Sequence, residues 1–270
     1  MRGVTITGDV KVLKRQEHRK RINSGYMWAL FCAVFWGLWY ISGEIIWDIY
    51  PFNEMLTTIS HIISGSGPMV VVAAEVSAFN ALFAVFALLI WNGSLQRLNE
   101  LGRTMRNFNL CSKWLLLGSL FGGPIAIFGS FMAMAFIGSA FAAVASLLFP
   151  VVGSIVAYLW YGENITKRAA IGILVVTAGD IIIFGGGLIS DIQSAGGVQW
   201  LGYLGGAMSA LGWGLEGATA GMGLEFSESD TGLTARFVFE LLLWWIIIIP
   251  AFTIAGFPMF EYATAVFQPV

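Results

Sequence analysis

Seven apolar runs of about 20 residues each are the feature that most constrains what this chain can fold into. The hydrocarbon core of a bilayer is about 30 Å thick, and a helix needs roughly 20 apolar residues to cross it. Lipid cannot satisfy backbone amides, so a helix is expected for each run. The runs lie at about 27–47, 69–91, 112–136, 138–160, 169–188, 199–221 and 233–255. The sequence therefore predicts an all-α, polytopic membrane helix bundle with seven spans.

The composition excludes most other classes of protein. The chain is 57% hydrophobic and 11% charged, which lies outside the range of soluble domains. Its two cysteines, Cys32 and Cys111, offer neither a disulfide framework nor the paired spacing of a metal site. No pairing of a nucleophile with a base and no phosphate-binding glycine loop is recognisable. We therefore expect no enzyme activity, no cofactor and no metal.

The basic residues predict the orientation in the membrane. Residues 1–25 carry seven of the 14 Lys and Arg residues, and the others fall in or beside alternate loops. Residues 48–68, 189–198 and 256–270 have none, which is the asymmetry of the positive-inside rule. We expect a cytoplasmic amino terminus and a multi-pass protein of the cell membrane. Beside a span, the basic arm favours contact with the lipid bilayer, and no nucleic-acid partner is expected.

A motif at the end of the fourth run carries a family resemblance. Its members, in order, are Phe149, Pro150, Ala157, the stretch 161–166 (YGENIT), Gly172 and Gly179. Their spacing resembles the end of one repeat in the EamA-type transporters of the drug/metabolite transporter superfamily. The resemblance implies ten spans in two five-helix halves and a secondary transporter. The alternative interpretation is an unrelated polytopic membrane protein with a cytoplasmic hairpin at this place.

An internal repeat supports the resemblance. Residues 33–39 (AVFWGLW) align with residues 210–216 (ALGWGLE), and the Trp-Gly-Leu core is identical. The second copy comes five spans after the first, so it enters the membrane from the opposite side. A weaker match joins residues 74–76 to 235–237. We therefore predict inverted five-helix repeats of which the second is incomplete in this chain.

This repeat predicts the domain organisation. The chain is divided into a basic cytoplasmic arm (1–25), a first five-helix repeat (26–188), an external linker (189–198) and the first two spans of the second repeat (199–270). We expect a chain that is truncated relative to a longer parent. The alternative is a protein that works with seven spans, as a homodimer.

The fourth apolar run is expected inside the bundle. Small residues recur along it mostly at three- and four-residue intervals, which allows neighbouring helices to approach closely. They are Ser139, Ala142, Ala143, Ser146, Gly153 and Ala157.

Ionisable residues inside the spans are candidates for function, because charge is costly in lipid. Glu75 lies about 9 Å inside the end of its span at 1.5 Å per residue. We predict a substrate site made of Glu75, Glu216 and the deep tryptophans Trp36, Trp39 and Trp213. Carboxylates beside indole faces suit an organic cation or amine.

Three carboxylates are candidates for proton coupling, namely Glu75, Asp180 and Glu240. A buried carboxylate without a cation is costly unless it is protonated, so a proton and the substrate would compete for Glu75. The alternative for Glu75 is a structural ion pair with Arg236. For Asp180 the alternative is a hydrogen bond between helices.

Two functions from different classes remain. The first is a secondary transporter that moves a small metabolite, an organic cation or amine, by alternating access between inverted halves. The alternative is a non-transporting membrane scaffold or subunit made from a truncated transporter repeat.

Overall fold

The computed structural model describes residues 6–193 and 197–267 of the 270-residue chain, and the described part contains helices and no strand. The chain forms two compact units, Met1–Ser42 and Gly43–Val270. The predicted all-α architecture is confirmed.

The first unit consists of most of helix α1 (Ile6–Ile45), which continues without a break from the basic arm into the first apolar run. A membrane-length stretch, Ile22–Asp48, begins in this unit and ends beyond it, and it exposes large apolar side chains such as Trp28 and Phe35. Exposed apolar side chains all along a helix of this length suit contact with lipid tails.

The second unit contains the remaining helices. They are α2 (Phe52–Ile62), α3 (Gly67–Ser94), α4 (Leu98–Arg106), α5 (Lys113–Leu120), α6 (Phe128–Ile137), α7 (Ser139–Ser146), α8 (Phe149–Tyr161), α9 (Lys167–Gln193), α10 (Trp200–Leu224), α11 (Ser229–Leu242), α12 (Ile249–Ile254) and α13 (Met259–Ala265). A π-helical turn, Phe121–Ile127, joins α5 to α6, and another, Leu243–Ile248, joins α11 to α12. Because the turns are helical, Phe108–Ile137 and Ser229–Ile254 are each one continuous helical segment.

Five helical segments of the described chain are long and apolar enough to cross a membrane, in the first, second, third, fourth and seventh predicted spans. The fifth and sixth predicted spans correspond to α9 and α10, which have 27 and 25 residues. They are long enough to cross a bilayer but are not among the five. In α10 the reason is composition, because many of its residues are glycines, which add length and little hydropathy.

Helix α10 lies at the centre of the second unit, against α5, α6, α7 and α8. It touches α6 backbone to backbone, since a Cβ on Gly129 would lie 2.6 Å from the carbonyl oxygen of Gly205. Beside this contact, the buried Ser209 hydroxyl lies 2.7 Å from the hydroxyls of both Ser130 and Ser146. Small residues and hydroxyl hydrogen bonds are the usual means by which membrane helices associate.

The prediction that the fourth run lies inside the bundle is wrong. Only 17% of its most apolar stretch is buried, against 61% in α3 and 56% in Phe108–Ile137. Its small residues contact α10 along one face, where Ala142 and Ser146 are buried. The opposite face holds exposed bulky side chains such as Phe141 and Leu159. Small-residue spacing therefore identified a contact stripe and not a central helix.

Helices α3 and α11 run antiparallel, and two contacts fix their relative levels. Near one end of α3, the Asn92 amide donates to the Thr234 hydroxyl at 2.7 Å. Further along, the Trp245 indole donates to the Ala78 carbonyl at 3.0 Å.

Two glycines in left-handed or extended positive-φ conformations end helices where the sequence changes span. Gly138 has φ of 80° and separates α6 from α7 by a single residue. Gly162 has φ of 67° and ends α8, and its amide and that of Glu163 both donate to the Ala157 carbonyl. Glycine is preferred at such a helix end because it lacks a Cβ.

Candidate functional site

Arg236 of α11 is the most deeply buried cation in the described part of the chain, with 1% of its surface exposed. Its Nε atom lies 2.5 Å from Oε1 of Glu216 on α10. Its Nη1 atom lies 2.7 Å from Oε2 of Glu240, one helical turn further along α11. We call these three residues the Arg236 cluster. The cluster ties α10 to α11 through charges that have little water around them.

The π-helical turn Phe121–Ile127 provides the space for the cluster. Its sequence, FGGPIAI, contains Pro124, whose ring occupies the position of an amide hydrogen and disturbs the α-helical bonding pattern. A Cβ on Gly122 would overlap the Arg236 guanidinium, and a Cβ on Gly123 would overlap the Glu240 carboxylate. The charged groups therefore lie against bare helix backbone.

Two aromatic rings accompany the guanidinium. The Cζ atom of Arg236 lies 4.2 Å from the centre of the Phe237 ring and 5.9 Å from the centre of the Trp213 ring. Trp213 precedes Glu216 by three residues, so both side chains lie on one face of α10. The site combines carboxylates with aromatic faces, which is the composition of cation-binding sites.

The charges of the cluster do not balance when both carboxylates are ionised. Two carboxylates and one guanidinium give a formal charge of −1. Glu240 is fully buried, and its Oε1 atom has no hydrogen-bond partner in the described part of the chain. Glu216 keeps 14% of its side chain exposed. One further cation, or one proton, would neutralise the cluster.

A groove of about 460 Å³ runs between α8 and α10 and reaches Trp213. Small residues of α10 line it, including Gly214, Gly217 and Gly221. Two exposed carboxylates, Glu163 and Glu225, also line it. Its volume is within the range of small-molecule sites.

The structure brings together three of the predicted site residues, Trp213, Glu216 and Glu240, and it places Glu75 elsewhere. From the two contacts that align α3 with α11, Glu75 lies about 12 to 15 residues from the level of Arg236. That is about 20 Å at 1.5 Å per residue. The proposed ion pair between Glu75 and Arg236 is not formed, because Arg236 pairs with Glu216 and Glu240.

The other predicted residues lie outside the cluster. Trp36 and Trp39 belong to the first compact unit, where Trp39 stacks edge-on against Tyr40 at 5.0 Å, and their place in a substrate site stays a prediction. Asp180 is buried in α9, and its Oδ2 atom has no hydrogen-bond partner in the described part of the chain. Its role in proton coupling also stays a prediction.

The sequence interpretation did not include Arg236, Gly122 and Gly123 in the site. A signal existed for each. Arg236 and Glu240 are four residues apart, so they share a helix face. A Gly-Gly-Pro run inside a span is a sign of an irregular helix, and π-bulges often occur at functional sites.

These features define a polytopic α-helical membrane protein with a charged cluster buried between its helices. Residues 23–185 match the profile of the EamA-like transporter family. The match covers more than half of the chain, so the chain belongs to the EamA-like transporter family and is a membrane transporter of the drug/metabolite type. The resemblance seen in the motif around Tyr161 is confirmed. No curated protein matches the chain.

Proposed function

We propose that this protein is a secondary transporter that binds a small organic cation or amine at the Arg236 cluster and moves it by alternating access. The observation that carries the proposal is the unbalanced charge of the cluster. Glu216 and the fully buried Glu240 share one guanidinium, and one oxygen of Glu240 has no partner in the described part of the chain. An ammonium group would supply the missing positive charge.

The surroundings of the cluster favour an organic cation over a bare metal ion. The Trp213 and Phe237 rings lie beside the charges and would contact apolar substituents on the nitrogen. The groove between α8 and α10 is the access route in this proposal. Its carboxylates, Glu163 and Glu225, would raise the local concentration of cations.

The inverted repeat that the sequence predicts is the support for alternating access in this proposal. In transporters built this way, the substrate lies near the repeat interface, and one half rocks against the other. Here Glu216 ends the second copy of the Trp-Gly-Leu sequence, so in this proposal the cluster belongs to one of the predicted repeats. We further propose that the protein resides in the cell membrane with its amino terminus in the cytoplasm, from the distribution of basic residues.

Flux into liposomes tests the proposal. The purified protein would be reconstituted and supplied with radiolabelled tetraethylammonium and a panel of larger quaternary amines. We expect saturable uptake by the wild type and a decrease of at least about tenfold in Glu240→Gln, equivalent to 1.4 kcal/mol of binding. Glu54→Gln, which changes an exposed carboxylate on α2, serves as the matched control and should transport normally.

Two outcomes would contradict the proposal. Equal uptake by Glu240→Gln and wild type would show that the cluster is a structural ion network. Uptake of none of the amines by wild-type protein, whether of this chain or of a longer reading frame, would favour the second candidate, a scaffold or subunit built from a transporter repeat.

A further inference from the structure

Glu75 is a carboxylate enclosed by protein on every side. Its residue surface is fully buried, and neither carboxylate oxygen has a hydrogen-bond partner in the described part of the chain. The whole stretch of α3 from Val71 to Phe79 is buried, so no face of the helix offers water at this level. Buried polar groups usually have partners, and a buried ion nearly always does.

Among the described helices that pack against α3, no positive charge lies close enough to compensate Glu75. Glu75 is the only titratable residue of α3. Helices α6 and α12 and both π-helical turns against α3 hold no titratable residue. The other helices against α3 carry the following titratable side chains: Glu54 and His61 of α2, both exposed, Glu100, Arg103 and Arg106 of α4, and Asp230, Arg236 and Glu240 of α11.

The cations of α4 and α11 are too distant from Glu75 to neutralise its charge. Arg236 is about 20 Å away along the bundle, and its guanidinium is already paired with two carboxylates. Helix α4 follows the far end of α3, beyond Asn92, and is more distant still. At such separations the attraction between Glu75 and these cations is much smaller than the free-energy cost of removing the water around a buried ion.

We propose that Glu75 is a proton-binding site, separate from the Arg236 cluster, and that its proton drives transport. In the conformation seen here, the carboxyl group carries the proton as a neutral acid. When the helices around it open, the acid gives its proton to water and becomes a carboxylate with solvent around it. Before the helices enclose it again, the carboxylate must take a proton from water. Each closing step therefore takes up one proton.

The statement that this proton drives transport rests on the proposed function. Because the proton site is separate from the cation site, the proton and the cation would not compete for one carboxylate and would be coupled at a distance. A cation at Glu240 and a proton at Glu75 would not contact each other. Each would instead bias the same opening and closing of the bundle, which is how two sites couple through a shared conformational equilibrium.

Infrared spectroscopy of purified protein at neutral pH tests the proton site without any transport. A protonated carboxyl group has a C=O stretch that is distinct from the bands of carboxylates and amides. We expect loss of one such band in Glu75→Gln and no loss in Glu54→Gln. If Glu75→Gln does not fold, Glu75→Asp should keep the band at a shifted frequency. A spectrum with the same protonated-carboxyl bands in wild type and both variants would overturn the proposal.

Flux measurements then test the coupling. We expect an imposed pH gradient to drive accumulation of tetraethylammonium by the wild type. Glu75→Gln should lose that drive while it keeps exchange of labelled for unlabelled cation, and Glu240→Gln should lose both. Accumulation by Glu75→Gln equal to that of wild type would overturn the coupling. A Glu75 band in a protein with no flux would refute the proposed function and leave the proton site supported.

Discussion

Replacement of Gly122 by alanine should damage the Arg236 cluster more than any change of comparable size. The added Cβ would overlap the guanidinium of Arg236 and would lie 2.7 Å from the carboxyl carbon of Glu216. The guanidinium is paired through Nε with Glu216 and through Nη1 with Glu240, so a shift away from the new Cβ would disturb these ion pairs.

The expected change in the free energy of unfolding is the sum of three contributions. Alanine is favoured over glycine within a helix by about 1 kcal/mol. Overpacking of a close contact costs about 1–3 kcal/mol, and loss of a partner from a buried ion pair costs about 3–5 kcal/mol. The net expectation for Gly122→Ala is a loss of about 3 to 7 kcal/mol. For a chain of this size, that corresponds to a decrease in Tm of roughly 10 to 20 °C.

Thermal unfolding of the purified protein in detergent, followed by tryptophan fluorescence, measures the effect. Gly172→Ala is the matched control, because Gly172 also lies within a long helix and a Cβ there would meet no atom within 4 Å. We expect the control to have an unchanged or higher Tm. Equal Tm values for the two variants would show that the close approach at Gly122 does not exist in the protein.

Three further changes have distinct expected outcomes. Arg97→Ala removes ion pairs to two half-exposed carboxylates and should lower the free energy of unfolding by less than about 1 kcal/mol; a larger loss in the same assay would contradict the exposure seen here. Ser209→Ala removes the centre of the buried hydroxyl chain and should cost about 1 kcal/mol, against no change for the exposed Ser94→Ala. In a chain without its native cysteines, an external thiol reagent should label a cysteine at Ser64 and not one at Asn99; the reverse pattern would overturn the orientation.

The helices themselves were largely predictable from the sequence. Their lengths follow from the apolar runs, because the thickness of the bilayer sets how many residues must be apolar. The breaks were marked by residues with a local effect, such as Gly138 and Gly162, whose backbone conformations disfavour other side chains. The EamA motif lies at one of these breaks, which is why a short pattern could identify the family.

The site was predictable only in part, because depth along a helix can be counted but rotation about its axis cannot. Depth within a span makes Glu216 and Trp213 candidates, and their role in binding stays a prediction. The sequence suggests Arg236 only as an alternative partner of Glu75, whereas in the structure it is buried and pairs with two other carboxylates. The position of Arg236 depends on the absence of side chains at Gly122 and Gly123. These glycines belong to a different helical segment, so the periodicity of the α11 sequence cannot predict the space that they leave.

The backbone contact between Gly129 and Gly205 has a consequence for motion. Where helices meet through interdigitated side chains, a change of crossing angle must break and remake rotamer packing. Where they meet through bare backbone, no rotamers resist, and the hydroxyls of Ser130 and Ser209 can exchange partners as the helices turn. In the rocking motion that we propose, the helices turn about this contact. The Arg236 cluster lies about three turns away from Gly205 along α10, where a small rotation becomes a displacement large enough to open a site.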